Sequence, residues 1–294
     1  MTSGNTTDEL VKRIRDDREN GASELARQCL AGLARRARVL DADGAEGLRN
    51  KLVELAKQLQ NTRPTMAVII KLVGQWIDAV ERLSTDNVDK LRNEASACAE
   101  KLIRISTDAV SKAALNAANL IGVDKTIITH SLSSTVIAVF EQAAPRVKAI
   151  VTESQPPGEG RQLAAKLSKL GIATDFISDQ QMGLFVTQAD VALVGADTIA
   201  ADGSVINKAG TYLLALAARE QGIPFYVCFE SFKCSDLVST DIVLEQHDPA
   251  EFDPPELPHV KAHNIYFDTT PPNLITSWIT EDGVSRKPGG QTSI

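Results

Sequence analysis

The pattern of apolar residues changes once along this chain, close to Gly122. Before that point, from Asp8 to about Ala118, apolar side chains recur at helical spacing and β-branched runs are almost absent, which is typical of an antiparallel helical bundle. After it, short β-branched runs alternate with helical patterns, which indicates βαβ units and a parallel sheet. We therefore predict an α/β protein with a helical N-terminal domain over residues 1–119 and, over residues 120–294, a Rossmann-like, mostly parallel open sheet with helices on both faces.

The helical half divides at capping residues and at one proline. Thr7 is a possible N-cap, Gly21 breaks the first helix, and Pro64 interrupts the periodicity, since proline is tolerated only in the first turn of a helix. The predicted later helices of this half are Ala45–Gln60, Met66–Leu83 and Asn87–Ala118. The predicted strands are Thr126–Thr129, Ala149–Glu153, Ala173–Ile177, Val191–Val194, Phe225–Cys228 and Ile242–Leu244, with helices at Ser134–Gln142, Arg161–Leu170, Gln180–Phe185 and Thr211–Gln221.

Composition excludes several classes of protein. A net charge of −7 without a dense Lys/Arg cluster argues against direct nucleic-acid binding. No apolar run reaches the roughly 18–20 residues of a membrane span, and the polar N-terminus does not resemble a secretory signal, so we expect a cytoplasmic protein with its four cysteines as thiols. The spacing of His247, His259 and His263 matches no metal motif and favours a surface loop. We expect neither a metal nor a cofactor.

Polar residues follow several predicted strands at their carboxyl ends, the edge at which open α/β sheets bind ligands. Ser131 follows the first strand, and Glu153 ends the second, where it could orient Ser154 or sugar hydroxyls. Asp197 follows an apolar strand, so partial burial could make it an acid or base. A helix N-cap is an equally good interpretation of Asp197.

A second group of residues indicates a phosphate site. Asn207 and Lys208 precede a helix that begins near Thr211, where free N–H groups and the helix dipole favour an anion, although a simple turn and helix start explains the same residues. Lys233 lies just past another strand and would face the same cleft. Arg63 could reach across from the helical domain to clamp a phosphate, or solvate a surface. No Gly-x-Gly-x-x-Gly or Walker lysine motif is present, so a dinucleotide or nucleoside triphosphate is not indicated.

Eight motifs follow one another along the chain: Arg63-Pro64-Thr65, Val151–Pro156, Glu159-Gly160-Arg161, Gly195–Ile199, Asn207–Thr211, Pro224–Val227, Glu230–Lys233 and Phe267–Pro272. In this order they resemble one superfamily, which contains the alpha, beta and delta subunits of eukaryotic translation initiation factor 2B, archaeal ribose-1,5-bisphosphate isomerase and methylthioribose-1-phosphate isomerase. The resemblance implies a helical domain, a Rossmann-like domain, and dimers or hexamers built through the C-terminal half. In the isomerases an aldose 1-phosphate becomes a ketose by proton transfer between C2 and C1, with a cysteine and an aspartate as the acid–base pair.

The resemblance implies roles for individual residues of this chain. The aspartate matches Asp197, and the phosphate-binding residues match Arg63, Asn207 and Lys208. The isomerases have a cysteine where this chain has Ser131, and a hydroxyl transfers protons poorly near neutral pH unless a base activates it.

The phosphate loop that reads Arg-Gly-Ala in the isomerases is Asn20-Gly21-Ala22 here, with Arg18 as a possible replacement for the cation. Conversely, the initiation-factor alpha subunits tend to lack the aspartate that this chain has as Asp197. Two functions stay open: an aldose–ketose isomerase of a pentose 1-phosphate such as ribose 1,5-bisphosphate, or a non-catalytic initiation factor 2B-like subunit. The second would sense a sugar phosphate or nucleoside monophosphate and bind translation-factor subunits.

Overall fold

The computed structural model describes residues 5–17 and 20–286. It divides into two compact units, Met1–Asp108 and Ala109–Ile294. The division falls inside one long helix, so the last turns of that helix belong with the sheet.

The described residues of the first unit form helices joined by short turns, with no strand among them. Its helices are α1 (Asn5–Asp16), α2 (Ala22–Val39), α3 (Gly44–Gln60), α4 (Ala67–Glu81) and the first part of α5 (Val88–Ile121). Thr7 lies inside α1, so the N-cap prediction for Thr7 is wrong; α1 begins two residues earlier. Trp76 is fully buried, and its indole N–H donates to the carbonyl of Ala95 at 2.9 Å, which ties α4 to α5 within the unit's core.

The second unit is built on a seven-stranded sheet in the order β10-β9-β7-β4-β1-β2-β3. All neighbouring pairs run parallel except β9 and β10. The strands of this sheet are β1 (Lys125–Thr129), β2 (Val147–Thr152), β3 (Ala173–Ile177), β4 (Val191–Val194), β7 (Phe225–Cys228), β9 (Ser277–Thr280) and β10 (Gly283–Ser285).

Helices cover both faces of this sheet, as predicted. Besides the last turns of α5, the helices of the unit are α6 (Ser134–Ala143), α7 (Gly160–Lys169), α8 (Met182–Phe185) and α9 (Thr211–Glu220). Successive residues of β1 point to opposite faces: Ile127 packs with Phe140 of α6 and Leu163 of α7, whereas Ile128 packs with Leu214 of α9 and Met182 of α8. The fold class is therefore confirmed as a Rossmann-like α/β sheet after a helical N-terminal region.

The order of the strands fixes where a ligand can bind. From β1 the chain moves outward through β2 to β3, and it then returns to place β4 on the other side of β1. The crossovers leave in opposite directions from β1 and β4, so a crevice opens at their carboxyl ends. His130 and Ser131 follow β1, and Gly195 follows β4. His130, Ser131 and Gly195 therefore lie at the switch point.

Beyond this edge lies a small antiparallel sheet that the sequence patterns did not predict. It has the order β5-β6-β8, formed by Thr198–Ile199, Val205–Lys208 and Phe267–Thr270. The predicted strand Ile242–Leu244 is wrong. Val243 is 82% exposed, and the segment lies between short 3₁₀ turns with no ladder partner among the described residues. β-Branched composition alone does not hold a strand that finds no neighbour and buries no face.

None of the helices in residues 5–17 and 20–286 combines the length and the apolar character that crossing a bilayer requires.

Candidate functional site

Two serines at the ends of adjacent strands adopt left-handed backbone conformations. Ser131 after β1 has φ 75°, and Ser154 after β2 has φ 61°. Such conformations cost roughly 1–3 kcal/mol for a residue with a Cβ, and they persist where the surroundings hold them. The Ser131 N–H donates to Oγ of Ser154 at 2.8 Å. The two strained turns therefore support each other at the centre of the sheet edge.

A directed hydrogen-bond chain runs from these serines through His130. The imidazole Nε2 lies 2.8 Å from the carbonyl oxygen of Ala209, which only accepts, so Nε2 carries the proton. Nδ1 then accepts from Oγ1 of Thr152 at 2.6 Å, and Thr152 accepts from Oγ of Ser154 at 3.0 Å. Burial lowers the pKa of His130. The ring is therefore held neutral, in one tautomer.

The hydroxyl of Ser131 is bound to a carboxylate. Its Oγ donates to Oε1 of Glu159, and the same oxygen accepts the N–H of Leu132 at 3.2 Å. Glu159 is the N-cap of α7. It reaches Ser131 because the next residue is Gly160, where a Cβ would lie 1.8 Å from the carbonyl oxygen of Thr152. A larger residue at 160 would force α7 away from β2, and Glu159 with it.

Asp179, and not Glu153, contacts the backbone of Ser154. The carboxylate of Asp179 accepts the N–H of Ser154 at 2.7 Å and that of Gln155 at 2.8 Å. Glu153 instead pairs with the largely exposed guanidinium of Arg161. The residue that orients Ser154 is therefore Asp179, while the contact of Glu153 with sugar hydroxyls stays a prediction.

Asp197 and Asn207 lie side by side on the small sheet. The Asp197 N–H donates to the carbonyl of Ile206 at 2.9 Å, and Thr198 pairs with Ile206, so Asp197 is level with Asn207. The Asn207 side chain is buried and donates to Oγ1 of Thr211 at 2.9 Å. Asp197 is half-buried. The acid–base candidate and one phosphate candidate thus occupy one end of the β5–β6 ladder.

Lys208 is a buried cation without a carboxylate partner in the described part of the chain. It is 3% exposed; its Nζ donates to the carbonyl of Pro156 and lies 4.0 Å from the centroid of the Tyr266 ring. Burial lowers the pKa of Lys208, and the negative charges of Glu159 and Asp197, in that order, oppose the shift. Both carboxylates therefore act on the space around this ammonium.

The N-terminus of α9 holds a carboxylate of the protein itself. Oδ2 of Asp268 accepts the N–H of Gly210 at 2.7 Å and that of Tyr212 at 3.0 Å. Gly210 has φ +113°, and a Cβ there would lie 2.6 Å from Nε2 of His130. The expectation of free N–H groups for a phosphate is thus wrong at these two residues, because β8 supplies the anion. A phosphate near this helix would rely on Lys208.

Lys233, the other predicted cation of this unit, already has a counter-ion. Its Nζ lies 3.7 Å from Oε2 of Glu230, and both side chains are almost completely buried. Thr135 donates to the same carboxylate oxygen at 3.4 Å, whereas Oε1 of Glu230 is buried with no hydrogen-bond partner. The role of Lys233 in substrate binding stays a prediction.

The helical unit brings its own predicted residues together. Arg63 is buried in the turn between α3 and α4, and its Nη1 donates to the carbonyl of Asp17 at 3.1 Å. Asp17 precedes the loop to Gly21 and Ala22, and Gly21 is the N-cap of α2. The guanidinium and this loop are therefore neighbours. Arg18 and Glu19, in the same loop, lie outside the described residues.

From the sequence we did not identify Glu159, Asp179 or Asp268 as functional residues, although their carboxylates organise the site. One feature of the sequence pointed to Glu159: it lies directly before a glycine in a motif already singled out. Its contact with Ser131 was not predictable, because Ser131 follows β1 and Glu159 follows β2. Asp179 and Asp268 act through backbone N–H groups of distant segments, which no local pattern reveals. Within the described residues, no group of three or more His, Cys, Asp or Glu side chains is arranged to hold a metal ion.

Comparisons with known proteins agree with this architecture. The model of the "Initiation factor 2 subunit family" matches residues 18–287. A "Putative translation initiation factor eIF-2B subunit 2-like" protein of Pyrococcus horikoshii is 37% identical over 94% of this chain and 95% of its own length. A "Ribose 1,5-bisphosphate isomerase" of Archaeoglobus fulgidus is 33% identical over 94% of this chain and 88% of its own.

A solved structure extends the likeness to the backbone. The crystal structure of 5-methylthioribose 1-phosphate isomerase from Pyrococcus horikoshii has a TM-score of 0.80 and 27% identity, covering 95% of this chain and 83% of that one. The match of the family model and the relatives above 30% identity extend over both units. The chain belongs to the initiation factor 2 subunit family.

Proposed function

We propose that this chain is a sugar-phosphate aldose–ketose isomerase that acts on a pentose 1-phosphate such as ribose 1,5-bisphosphate. The observation that carries the proposal is the buried ammonium of Lys208, which has three N–H donors and contacts one carbonyl and one aromatic face. Burying a charge is costly unless it is paired. The carboxylates around this ammonium, Glu159 foremost, make no ion pair with it among the described residues, so a phosphate group would supply a direct counter-ion.

The neighbouring groups suit the reaction class. Asp197 and Asn207 lie at the same end of the small sheet as Lys208, and Asp197 is only half-buried. We assign Asp197 as an acid–base group that transfers a proton at C1 or C2, and Asn207 and Lys208 as phosphate ligands. Relatives named as isomerases of ribose 1,5-bisphosphate support this substrate class.

Incubation with ribose 1,5-bisphosphate or methylthioribose 1-phosphate tests the proposal. We expect ¹H NMR to show the ketose forming with the wild-type protein, and Asp197→Asn to slow its formation at least about 100-fold, the usual worth of general acid–base catalysis. If the wild-type protein converts neither compound, the proposal is wrong.

A second candidate rests on the relative named as an initiation factor eIF-2B subunit 2-like protein, at 37% identity. In that case the same pocket binds a sugar phosphate or nucleoside monophosphate without reaction, and the outer surface binds translation-factor subunits. The ligand would raise the melting temperature without being converted, and affinity purification would recover a translation-factor subunit. A homo-oligomer that recovers no such subunit, together with turnover, would favour the isomerase.

A further inference from the structure

Resting on the proposed isomerase function, we propose that Ser131 and Glu159 form a proton path at the reacting carbons, with Glu159 as the group that finally holds the proton. The starting observation is the hydrogen bond from the Ser131 hydroxyl to the Glu159 carboxylate. A hydroxyl is a weak base and a weak nucleophile alone, and an adjacent carboxylate is one way to activate it.

The backbone of Ser131 directs its hydroxyl toward this partner. The residue is held at φ 75°, its N–H is fixed to Oγ of Ser154 at 2.8 Å, and the residue as a whole is 8% exposed. Strained, over-determined conformations of this kind cluster at functional sites. The hydroxyl therefore has one well-defined acceptor rather than a solvent shell.

The position of Glu159 is likewise determined by the fold. It occupies the N-cap position of α7, where its side chain makes no capping hydrogen bond, and the absence of a side chain at Gly160 lets the helix approach the end of β2. One of its oxygens accepts both the Ser131 hydroxyl and the Leu132 N–H. The segment after β1 fixes the position of Ser131, and the start of α7 fixes the position of Glu159.

The pair lies within electrostatic reach of the proposed phosphate site. Nζ of Lys208 donates to the carbonyl of Pro156, three residues before Glu159, and the Glu159 carboxylate raises the pKa of Lys208 more than Asp197 does. A sugar whose phosphate contacts Lys208 would therefore have carbons close to both carboxylates. This places the Ser131–Glu159 pair and Asp197 as the two acid–base groups of one pocket.

The proposed step conserves atoms and electrons. The sugar ring opens first: the C1–O4 bond breaks with its electron pair on O4, O4 takes a proton from Asp197, and C1 forms a double bond to its phosphate oxygen. The C2–H bond then breaks; its electron pair forms the second C1–C2 bond, and the π pair of the C1–O bond returns to the phosphate oxygen. Oγ of Ser131 takes the C2 proton while its own hydroxyl proton passes to Oε1 of Glu159, which becomes a neutral acid. One proton then returns along the same path to C1, which restores the carboxylate, and the O2–H proton passes to Asp197 as C2=O forms. No oxidant or reductant is needed.

The test is the turnover of ribose 1,5-bisphosphate by Glu159→Gln, which keeps an oxygen to accept both hydrogen bonds but cannot take a proton. We expect kcat to fall at least about 100-fold, with KM changed less than threefold. The matched control is Asp202→Asn, because Asp202 also accepts a serine hydroxyl and an N–H, both from Ser239, at 2.6 and 3.3 Å, at the turn end of the β5–β6 hairpin, opposite the end that holds Asp197 and Asn207. Its kcat should stay within twofold of the wild type.

Two further variants separate proton transfer from a structural role. Ser131→Ala/Glu159→Gln should be no slower than the slower single variant, because each breaks the same path. Ser131→Cys/Glu159→Gln should be at least tenfold faster than Glu159→Gln, because a thiol ionises closer to neutral pH and needs no carboxylate. A purely structural carboxylate would not be rescued by a thiol.

The outcomes distinguish this inference from the proposed function. If the wild type turns over the substrate and Glu159→Gln keeps more than half of its kcat, the proton path is wrong but the proposed function stands. The same holds if the kcat losses of Ser131→Ala and Glu159→Gln multiply in the double variant. A wild-type protein that converts neither phosphosugar overturns both. Thermal unfolding of every variant shows whether it is folded under the assay conditions.

Discussion

Two buried lysines stand at the same edge of the sheet in opposite electrostatic situations. Lys233 faces the carboxylate of Glu230 at 3.7 Å, so its charge is balanced inside the protein. Lys208 contacts a carbonyl and an aromatic ring, and its pKa is lowered by burial. The first arrangement is complete in itself, and the second gains from an added anion. Equal burial of two cations therefore does not mean equal function.

Removing the cation of the paired lysine should have the largest effect on stability. Lys233→Met leaves the fully buried Glu230 carboxylate without a counter-ion, which typically costs about 3–5 kcal/mol. Urea unfolding would measure this loss. The double variant Lys233→Met/Glu230→Gln should recover most of it, because no buried charge remains. A single variant as stable as the wild type would show that the two lysines do not differ in this way.

The second largest effect on stability should come from Asp268. Its carboxylate accepts the N–H groups of Gly210 and Tyr212 at the start of α9, close to Lys208 in the sequence. Burial raises its pKa from 3.8 to about 6. The folded state therefore binds a proton more tightly than the unfolded state, so Asp268 lowers stability as pH rises from about 4 to about 6. At ~1.4 kcal/mol per pKa unit, Asp268→Asn should gain ~3 kcal/mol relative to the wild type over that interval. Urea unfolding at pH 3.5 and pH 7 measures it; a constant difference would contradict the prediction.

His130 should change the pH dependence of stability in the direction opposite to that of Asp268. Its pKa is lowered by burial from 6.5, so as the pH falls through 6.5 the unfolded state takes up a proton before the folded state does. Stability should therefore fall as the pH drops below 6.5, with a slope from this group of at most about 1.4 kcal/mol per pH unit. We expect His130→Gln to reduce the slope of unfolding free energy against pH just below pH 6.5. An unchanged slope would mean that His130 binds its proton in the folded protein.

The smallest effect on stability should come from Lys208. Lys208→Met loses a hydrogen bond to Pro156 and keeps a side chain that packs on the Tyr266 ring, while it removes the desolvation cost of a buried ammonium. The unfolding free energy should equal or exceed that of the wild type. A loss comparable to that of Lys233→Met would show that Lys208 is a structural cation.

The fold was predictable because it rests on patterns repeated along the chain. The parallel strands β1–β4 and β7 follow from β-branched runs between helical segments, and right-handed crossovers place their carboxyl ends at one edge. The small sheet was missed because β5 has two residues and pairs β6, whose other neighbour, β8, lies almost sixty residues away in the sequence. No local period marks such a sheet.

The site was predictable in its position and less so in its contacts. Asp197, Asn207 and Lys208 follow from strand ends and the start of a helix. The partners of Ser131 and Gly210, namely Glu159 and Asp268, depend on close approaches between segments distant in sequence. Whether a lysine is paired or unpaired also depends on such approaches, and this is why Lys208 and Lys233 look alike in the sequence.

Calorimetric titration of ribose 1,5-bisphosphate into three proteins compares the two lysines most directly: the wild type, Lys208→Met, and Lys233→Met/Glu230→Gln. Removing a buried charged partner of a phosphate costs about 2–5 kcal/mol of binding free energy, so Lys208→Met should weaken binding at least about 30-fold. The variant without the Glu230–Lys233 pair should bind within about threefold of the wild type. Equal weakening in both variants, or no weakening in Lys208→Met, would contradict the assignment of Lys208 as the phosphate ligand of this sheet edge.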